Sequence, residues 1–426
     1  MDWLDTAMQP TIDALHMIHR EKLAHMYAGC FRSTWDTTLT RDGDTVFLIT
    51  GDIPAMWLRD SSAQVYHYLP YAARFPLVRE TILGLIRRQM QCIVLDPYAN
   101  AFNRTSSDAH YRWDETGWTD ATRPWIWERK YEIDSLCYPV RLAHGYWKHT
   151  GCTDFADSRF MEAARAILAV FTAEQKHMTA SSYFFRRSMC PPSDTLPCEG
   201  KGNPVSENGL IWSGFRPSDD ACVYGYLIPS NFFACRALQM LADMLEGPCG
   251  EAGLARTARQ LADAIASALT RFATVSHPEY GTVYAYEIDG LGHALCMDDA
   301  NVPSLLSLPY LECLSSRDPV YQNTRRMLLS DRNPYYYEGT CCRGIGSPHT
   351  PRDYVWPIAL CVQGLTSEDP AEIQCLAAML ENMDADTGLM HESVHKDQPS
   401  RFTRPWFAWA NSIFAEFIDY ALPFLA

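Results

Sequence analysis

The chain is 426 residues long, 47% hydrophobic, 12% aromatic and 20% charged, an ordinary globular composition that excludes disorder. Its 36 basic against 51 acidic residues leave a formal net charge of −15 with no basic stripe, which excludes a nucleic-acid binder. No run approaches the roughly 18 apolar residues of a membrane span, so no membrane partner is expected.

A single core usually stops growing near about 250–300 residues, so this length would ordinarily mean two or three domains. A closed helical toroid escapes that rule, because a ring of hairpins lengthens without thickening its core. The opening MDWLDTAMQP is acidic and lacks the basic and apolar regions of a signal peptide, and the 15 scattered cysteines contain no Cys-x-x-Cys pair. These features predict reduced thiols and a cytoplasmic location. The vicinal Cys341-Cys342 cannot make an ordinary disulfide, and the sequon Asn103-Arg104-Thr105 reads as a chance match.

In chain order, apolar periodicity predicts helices over 11–28, 58–74, 76–94, 131–149, 157–177, 230–246 and 250–274. Further helices are predicted over 302–314, 318–329, 352–365, 368–384 and 405–424. Ser230 after Pro229 is an expected N-cap, Pro405 suits the first turn of the last helix, and Gly247 and Gly364 mark stops. The stretch 282–295 alternates around a glycine-containing turn and predicts a β-hairpin. Long connections at 29–57, 95–130, 178–229, 275–301, 330–351 and 385–404 alternate with short ones. That is the pattern of an all-α (α/α)6 barrel, six hairpins with elaborate loops at one end. A helical solenoid would repeat itself every 34 to 40 residues or so, and no such repeat is present. No linker or charge block divides the chain, so residues 1–426 are expected to form one domain.

Loops this long usually carry function, and these set carboxylates beside aromatics, a combination that suits a sugar. In the first cluster, residues 50–64, Trp57, Arg59 and Asp60 read either as a capping acid with its arginine or as the floor of a sugar pocket. Asp60, Ser61 or Ser62 is the candidate cap. The segment Gly214–Cys222 holds Asp219 and Asp220 beside Arg216. Adjacent carboxylates point different ways, so one pairs with Arg216 and the other is free to transfer a proton, unless both merely cap a turn.

The third cluster joins His391-Glu392-Ser393-Val394-His395 to Arg404 through Asn411, with Trp406 and Trp409 as sugar-stacking candidates. It formally matches H-E-x-x-H, yet no third ligand is evident and a loop spoils the helical geometry, so no metal is expected. Glu392 reads better as a general base. Glu132 and Asp134 open a helix, while Asp298, Asp299, Asn301 and His349 precede later ones. Each alone fits turn and cap chemistry; together, at helix starts around one axis, they would line one bowl. No phosphate-binding glycine loop and no G-x-S-x-G elbow is present.

At these residues the chain resembles glycoside hydrolase family 125, the exo-α-1,6-mannosidases. The resemblance lies in 50–64, 130–139, 215–233, 298–311, 344–357 and 388–416, spread over nearly the whole chain. It implies an (α/α)6 barrel, inversion at the anomeric carbon, a mannoside substrate and no metal. It also implies an aspartate acid in F-R-P-S-D-D, here Asp219 or Asp220, and a glutamate base in H-E-S-V-H, here Glu392. Asp219 stands nearer Arg216 and is expected to be its partner, which favours Asp220; Asp60 and Asp299 are the next candidates. In an inverting enzyme the two carboxyls lie about 6.5–9.5 Å apart to admit water, and the acid stays protonated near neutrality. Two rival readings are a sugar epimerase using His349, His391 and His395, and a mannoside-binding protein without activity.

Overall fold

The computed structural model describes residues 2–111 and 114–425. Helices buried on nearly every side form an inner ring, as the loss of a polar face requires. Leu58–Tyr66 is buried from Leu58 to Val65 and packs on Ile133–Thr150, which packs in turn on Ile228–Glu246. Pro357–Leu365 and Ala408–Leu425 continue the ring, and the last helix closes it against Leu58–Tyr66. Outside run Pro76–Leu95, Ser158–Glu174, Ala252–Phe272, Pro319–Leu328, Pro370–Glu381 and Glu21–Thr37. Ala252–Phe272 is typical of these, burying Ala255, Ala258, Leu261, Ala262, Ile265, Ala268 and Leu269 at helical spacing. This is the (α/α)6 arrangement, with Trp3–Met17 laid against its first outer helix. One buried cluster runs from Trp3 to Ala421.

One rung of the inner ring departs from the helical expectation. The region 302–314 is a succession of turns. Pro303 and Pro309 lack an N–H, Asp298 takes the backbone N–H groups of Leu305 and Leu306 at 2.9 Å, and Ser304 and Ser307 bond each other's backbone. Side-chain oxygens thus outcompete the helical ladder. The helix expected over 11–28 is two, broken at 18–20 where His19 has a φ of 58°.

Several expected boundaries also shift. Ile228–Glu246 starts with Ser230 inside its first turn, so Ser230 is no cap. Gly364 lies within Pro357–Leu365, where only a hydrogen fits against the Phe417 ring. Pro405 precedes Ala408–Leu425 altogether, whereas Gly247 does follow Glu246 as a stop. The expected hairpin is real from Glu287–Ile288 to Ala294–Leu295, but Gly281–Tyr284 pairs backwards with Thr274–His277.

Three small antiparallel sheets position the site. Met56–Trp57 pairs with Ala101–Phe102, Tyr226–Leu227 with Glu287–Ile288, and Tyr354–Val355 with Ser393–His395. Each first-named strand runs almost directly into an inner helix, so the sheets hold the helix starts around a common rim. The two ends of the barrel are stitched by a bridge from Gly51 to Phe407 and by the Ala408 N–H bonded to the Thr50 carbonyl at 3.1 Å. Gly51 has a φ of 133°, and a β-carbon there would collide with the Trp406 carbonyl.

Candidate active site

The loops on that rim enclose a narrow recess of about 40 Å³ beside an outer chamber of about 620 Å³, the two sharing Ile53, Trp57, Asp219, His349, Glu392 and Arg404. Trp57, Arg59, Asp60, Asp219, Asn301, His349 and Glu392 line the recess. Trp57, Asp219, His349 and Glu392 continue into the chamber, where Asp220 joins them. Residues from five distant segments are therefore gathered in one place.

At the inner end Arg59 is 2% exposed and surrounded by acids. Its Nη1 donates to Glu132 Oε2 at 2.6 Å and Asp134 Oδ2 at 3.2 Å, Nε stands 3.4 Å from Asp60 Oδ2, and Nη2 stands 3.9 Å from Asp219 Oδ1. Glu132 and Asp134 thus lie behind the recess wall, holding Arg59, and are absent from its lining. Burial drives the Glu132 carboxyl well above its usual range and lifts Asp134 to about 6, against the pull of Arg59. Burial likewise raises Asp60. None of Asp60, Ser61 and Ser62 is the helix cap, because the helix already starts at Leu58.

The two adjacent aspartates have opposite surroundings. Both ride on a tight hairpin in which Phe215 bridges to Ala221 and Asp219 adopts a φ of 69°. Burial would raise Asp219, but Lys130 and Arg59 overcome it and hold the carboxyl at about 2. Asp220 is 6% exposed, and its Oδ1 lies 3.6 Å from His349 Nδ1. Burial opposes the His349 imidazolium, yet the hydrogen bond and charge of Asp220 prevail and raise it to about 9. The expected partnership of Arg216 with Asp219 is absent; Arg216 Nε donates instead to Glu287 Oε1 at 2.6 Å. Asn301 donates to the Pro217 carbonyl at 2.7 Å and Ser218 to Asp299 at 2.6 Å, so that loop braces the hairpin.

Glu392 is 6% exposed, with Oε1 3.5 Å from Arg404 Nη1. Arg404 also forks onto Asp52 through Nε at 3.0 Å and Nη2 at 2.5 Å. His391 and His395 do not meet: His391 stacks on Phe402 with 3.8 Å between ring centres, and His395 sits edge-on to Tyr354. Glu392 sits at a bend before the strand Ser393–His395, and among the described residues no group of three His, Cys, Asp or Glu is placed to hold a metal ion. Trp409 is 2% exposed, packed edge-on to Tyr138 in the core, and lines neither cavity. Trp406 is also absent from both linings; its carbonyl serves the seam to Asp52. Lining residues not anticipated include Ser218, Trp356, Arg404 and Phe407 in the recess, and Trp127, Lys130, Arg187 and Asp194 in the chamber. Arg404 and Lys130 had a signal, since each lies in a motif whose acids drew the attention. The sequon asparagine Asn103 is 4% exposed and donates to the Ala109 and Pro124 carbonyls.

The profile of the metal-independent α-mannosidases, GH125, matches residues 20–419. The chain belongs to glycoside hydrolase family 125. A GH125 relative of known structure is a Streptococcus pneumoniae metal-independent α-mannosidase, solved in a non-productive complex with α-1,6-mannobiose. It shares 42% identity and a TM-score of 0.95, over 99% of this chain and 98% of that one. The Meiotically up-regulated gene 157 protein of Schizosaccharomyces pombe is 41% identical over 95% of this chain and 83% of its own. Outside family 125, the glucoamylase of Saccharomycopsis fibuligera superposes with a TM-score of 0.57 at 11% identity, over 98% of this chain and 97% of that one, a likeness of fold alone. Among the described residues no helix is long and apolar enough to cross a membrane.

Proposed function

We propose that this GH125 hydrolase removes α-1,6-linked mannose from the non-reducing end of oligomannosides or N-glycan fragments, with inversion at the anomeric carbon. The observation that carries the reading is a narrow recess joined to a larger chamber, with Glu392 lining both and Asp220 lining the chamber. The recess, backed by the buried Arg59 cluster, takes the terminal sugar, and the chamber takes the rest of the glycan. Buried Trp57 Nε1 and Asp60 Oδ2 have no hydrogen-bond partner among the described residues, and sugar hydroxyls supply the matching groups. The pneumococcal relative's α-1,6-mannobiose supports the linkage.

In this reading Asp220 is the general acid and Glu392 the general base. Asp219, held ionised at about 2, has no proton to give near neutrality. Its charge instead anchors Lys130 and Arg59. Asp220 protonates the glycosidic oxygen as that bond breaks, while Glu392 takes a proton from water attacking the opposite ring face. The proton that Asp220 donates is the one His349 holds up to about pH 9, passed across the 3.6 Å pair, which leaves His349 neutral and Asp220 in its acid form. The epimerase reading needs a histidine pair, and of His349, His391 and His395 only His349 lines the cavities. A binding protein would need no opposed carboxyl pair.

Residues 1–426 are read as one catalytic domain, supported by the buried cluster from Trp3 to Ala421. Among the described residues the cysteines form no disulfide, which suits a reducing compartment such as the cytoplasm. The test is hydrolysis of α-1,2-, α-1,3- and α-1,6-mannobiose with the product anomer followed by NMR. The reading requires cleavage of the α-1,6 isomer with β-mannose appearing first. Initial release of α-mannose would make Glu392 a nucleophile and overturn inversion.

A further inference from the structure

We propose that Glu287 is the positioning residue that aims the Asp220 carboxyl, acting from outside the substrate cavities. The inference rests on Asp220 being the general acid. Glu287 lies on the short strand Glu287–Ile288, the middle strand of a three-stranded sheet, and is 0% exposed. It lines neither the recess nor the chamber, so it touches no substrate.

Its carboxylate closes the base of the hairpin that carries Asp220. Oε1 accepts from Arg216 Nε at 2.6 Å, on the incoming limb. Oε2 accepts from the backbone N–H groups of Val223 and Tyr224, each at 2.9 Å, on the outgoing limb. Between these points the Arg216 N–H bonds the Asp220 carbonyl at 2.7 Å, and the turn passes through Asp219 at a φ of 69°. A five-residue loop with one left-handed residue has little regular structure of its own to fix its direction. Three bonds to one buried charge, all on a sheet that also leads into an inner helix, supply that fixity. Asn301 to the Pro217 carbonyl, Ser218 to Asp299 and Lys130 to the Asp219 carbonyl brace the tip, and Cys222 N–H to the Gly214 carbonyl at 2.9 Å and Ala221 N–H to the Ser193 carbonyl at 2.7 Å add backbone bonds lower down; Glu287 is the buried charge that ties both limbs at once.

The test is Glu287→Asp, which keeps the charge and withdraws the carboxylate by one methylene, about 1.5 Å. Misplacement near 1 Å of a reacting group costs on the order of 10²-fold. Turnover of α-1,6-mannobiose is expected to fall about 10- to 100-fold with KM within about threefold. A dinitrophenyl α-mannoside, whose leaving group needs little protonation, should be cleaved within about threefold of the wild-type rate. In Glu287→Asp combined with Asp220→Asn, mannobiose turnover should equal that of Asp220→Asn alone, since the first change works only through Asp220. A general packing defect would instead slow both substrates alike and add to Asp220→Asn, and either result overturns the proposal. If Asp220→Asn itself slows both substrates equally, the acid assignment falls first and takes this inference with it. Should Glu287→Asp fail to fold by circular dichroism, Glu287→Gln carries the same comparison with the same deciding outcomes.

Discussion

Arg404 Nη1 stands 3.5 Å from Glu392 Oε1 while the same guanidinium forks onto Asp52, 352 positions away in sequence. A lysine at 404 keeps one charge but cannot hold both carboxylates in a fork. Arg404→Lys is expected to lower kcat/KM on α-1,6-mannobiose about 10- to 100-fold, the scale of a charged hydrogen bond at roughly 1.5–3 kcal/mol. Unchanged kinetics would mean that Glu392 needs no help from this cation.

Glu392→Gln keeps the shape of the side chain but cannot accept a proton. Turnover should drop by about 10²–10⁴-fold while mannoside affinity, measured by calorimetry, stays near wild type. A variant retaining a tenth of the rate removes Glu392 from the role of base.

Asp219→Asn takes away the negative charge near Lys130 and Arg59, while Lys130 keeps its bond to the Asp219 carbonyl. Both cations lose electrostatic support, so cleavage of mannobiose and of an activated aryl mannoside should weaken together. A selective loss on mannobiose would instead identify Asp219 as the proton donor.

His349 binds a proton in the folded chain up to about pH 9, against an ordinary value of 6.5. Its pairing with Asp220 therefore stabilises the fold fully below about 6.5 and is lost as pH rises through about 9. The His349 side chain is 40% exposed, so solvent keeps the effect modest. Thermal denaturation from pH 6 to 10 should show a decline that His349→Gln flattens. Parallel curves for the two proteins would rule the pairing out as a source of stability.

Exhaustive chelation should leave activity intact, because two carboxyls suffice for the chemistry and His391 and His395 are held apart by different aromatic partners. Loss of activity on EDTA treatment, reversed by zinc, would restore the metal reading.

Helices with a clean apolar stripe, such as Ala252–Phe272, were legible from periodicity alone, as were the acids gathered at helix starts. Four kinds of feature were not. Pro303, Ser304 and Ser307 sit in a run whose apolar spacing imitates a helix, yet their side chains and missing N–H dictate turns. Met56–Trp57 and Tyr226–Leu227 are too short to show a period. Ion pairs were misjudged because proximity in sequence is a poor guide to buried pairing. Arg216 passes over Asp219, three residues on, for Glu287 at a separation of 71. Trp409 had the composition of a sugar platform but belongs to the core, where its ring fills space against Tyr138.

The seam from Gly51 to Phe407 also sets an order in time. Ribosomes deliver a chain from its N-terminus, and the recess draws its walls from Thr50 at one end to Phe407 at the other. Asp52 emerges early and waits for Arg404; Leu58–Tyr66 waits for the inner face of Ala408–Leu425. A chain made only as far as Asp220 holds Arg59 and Asp60 but lacks the Trp356, Glu392 and Phe407 walls. The recess therefore has no complete wall until the segment through Phe407 has joined the one at Thr50.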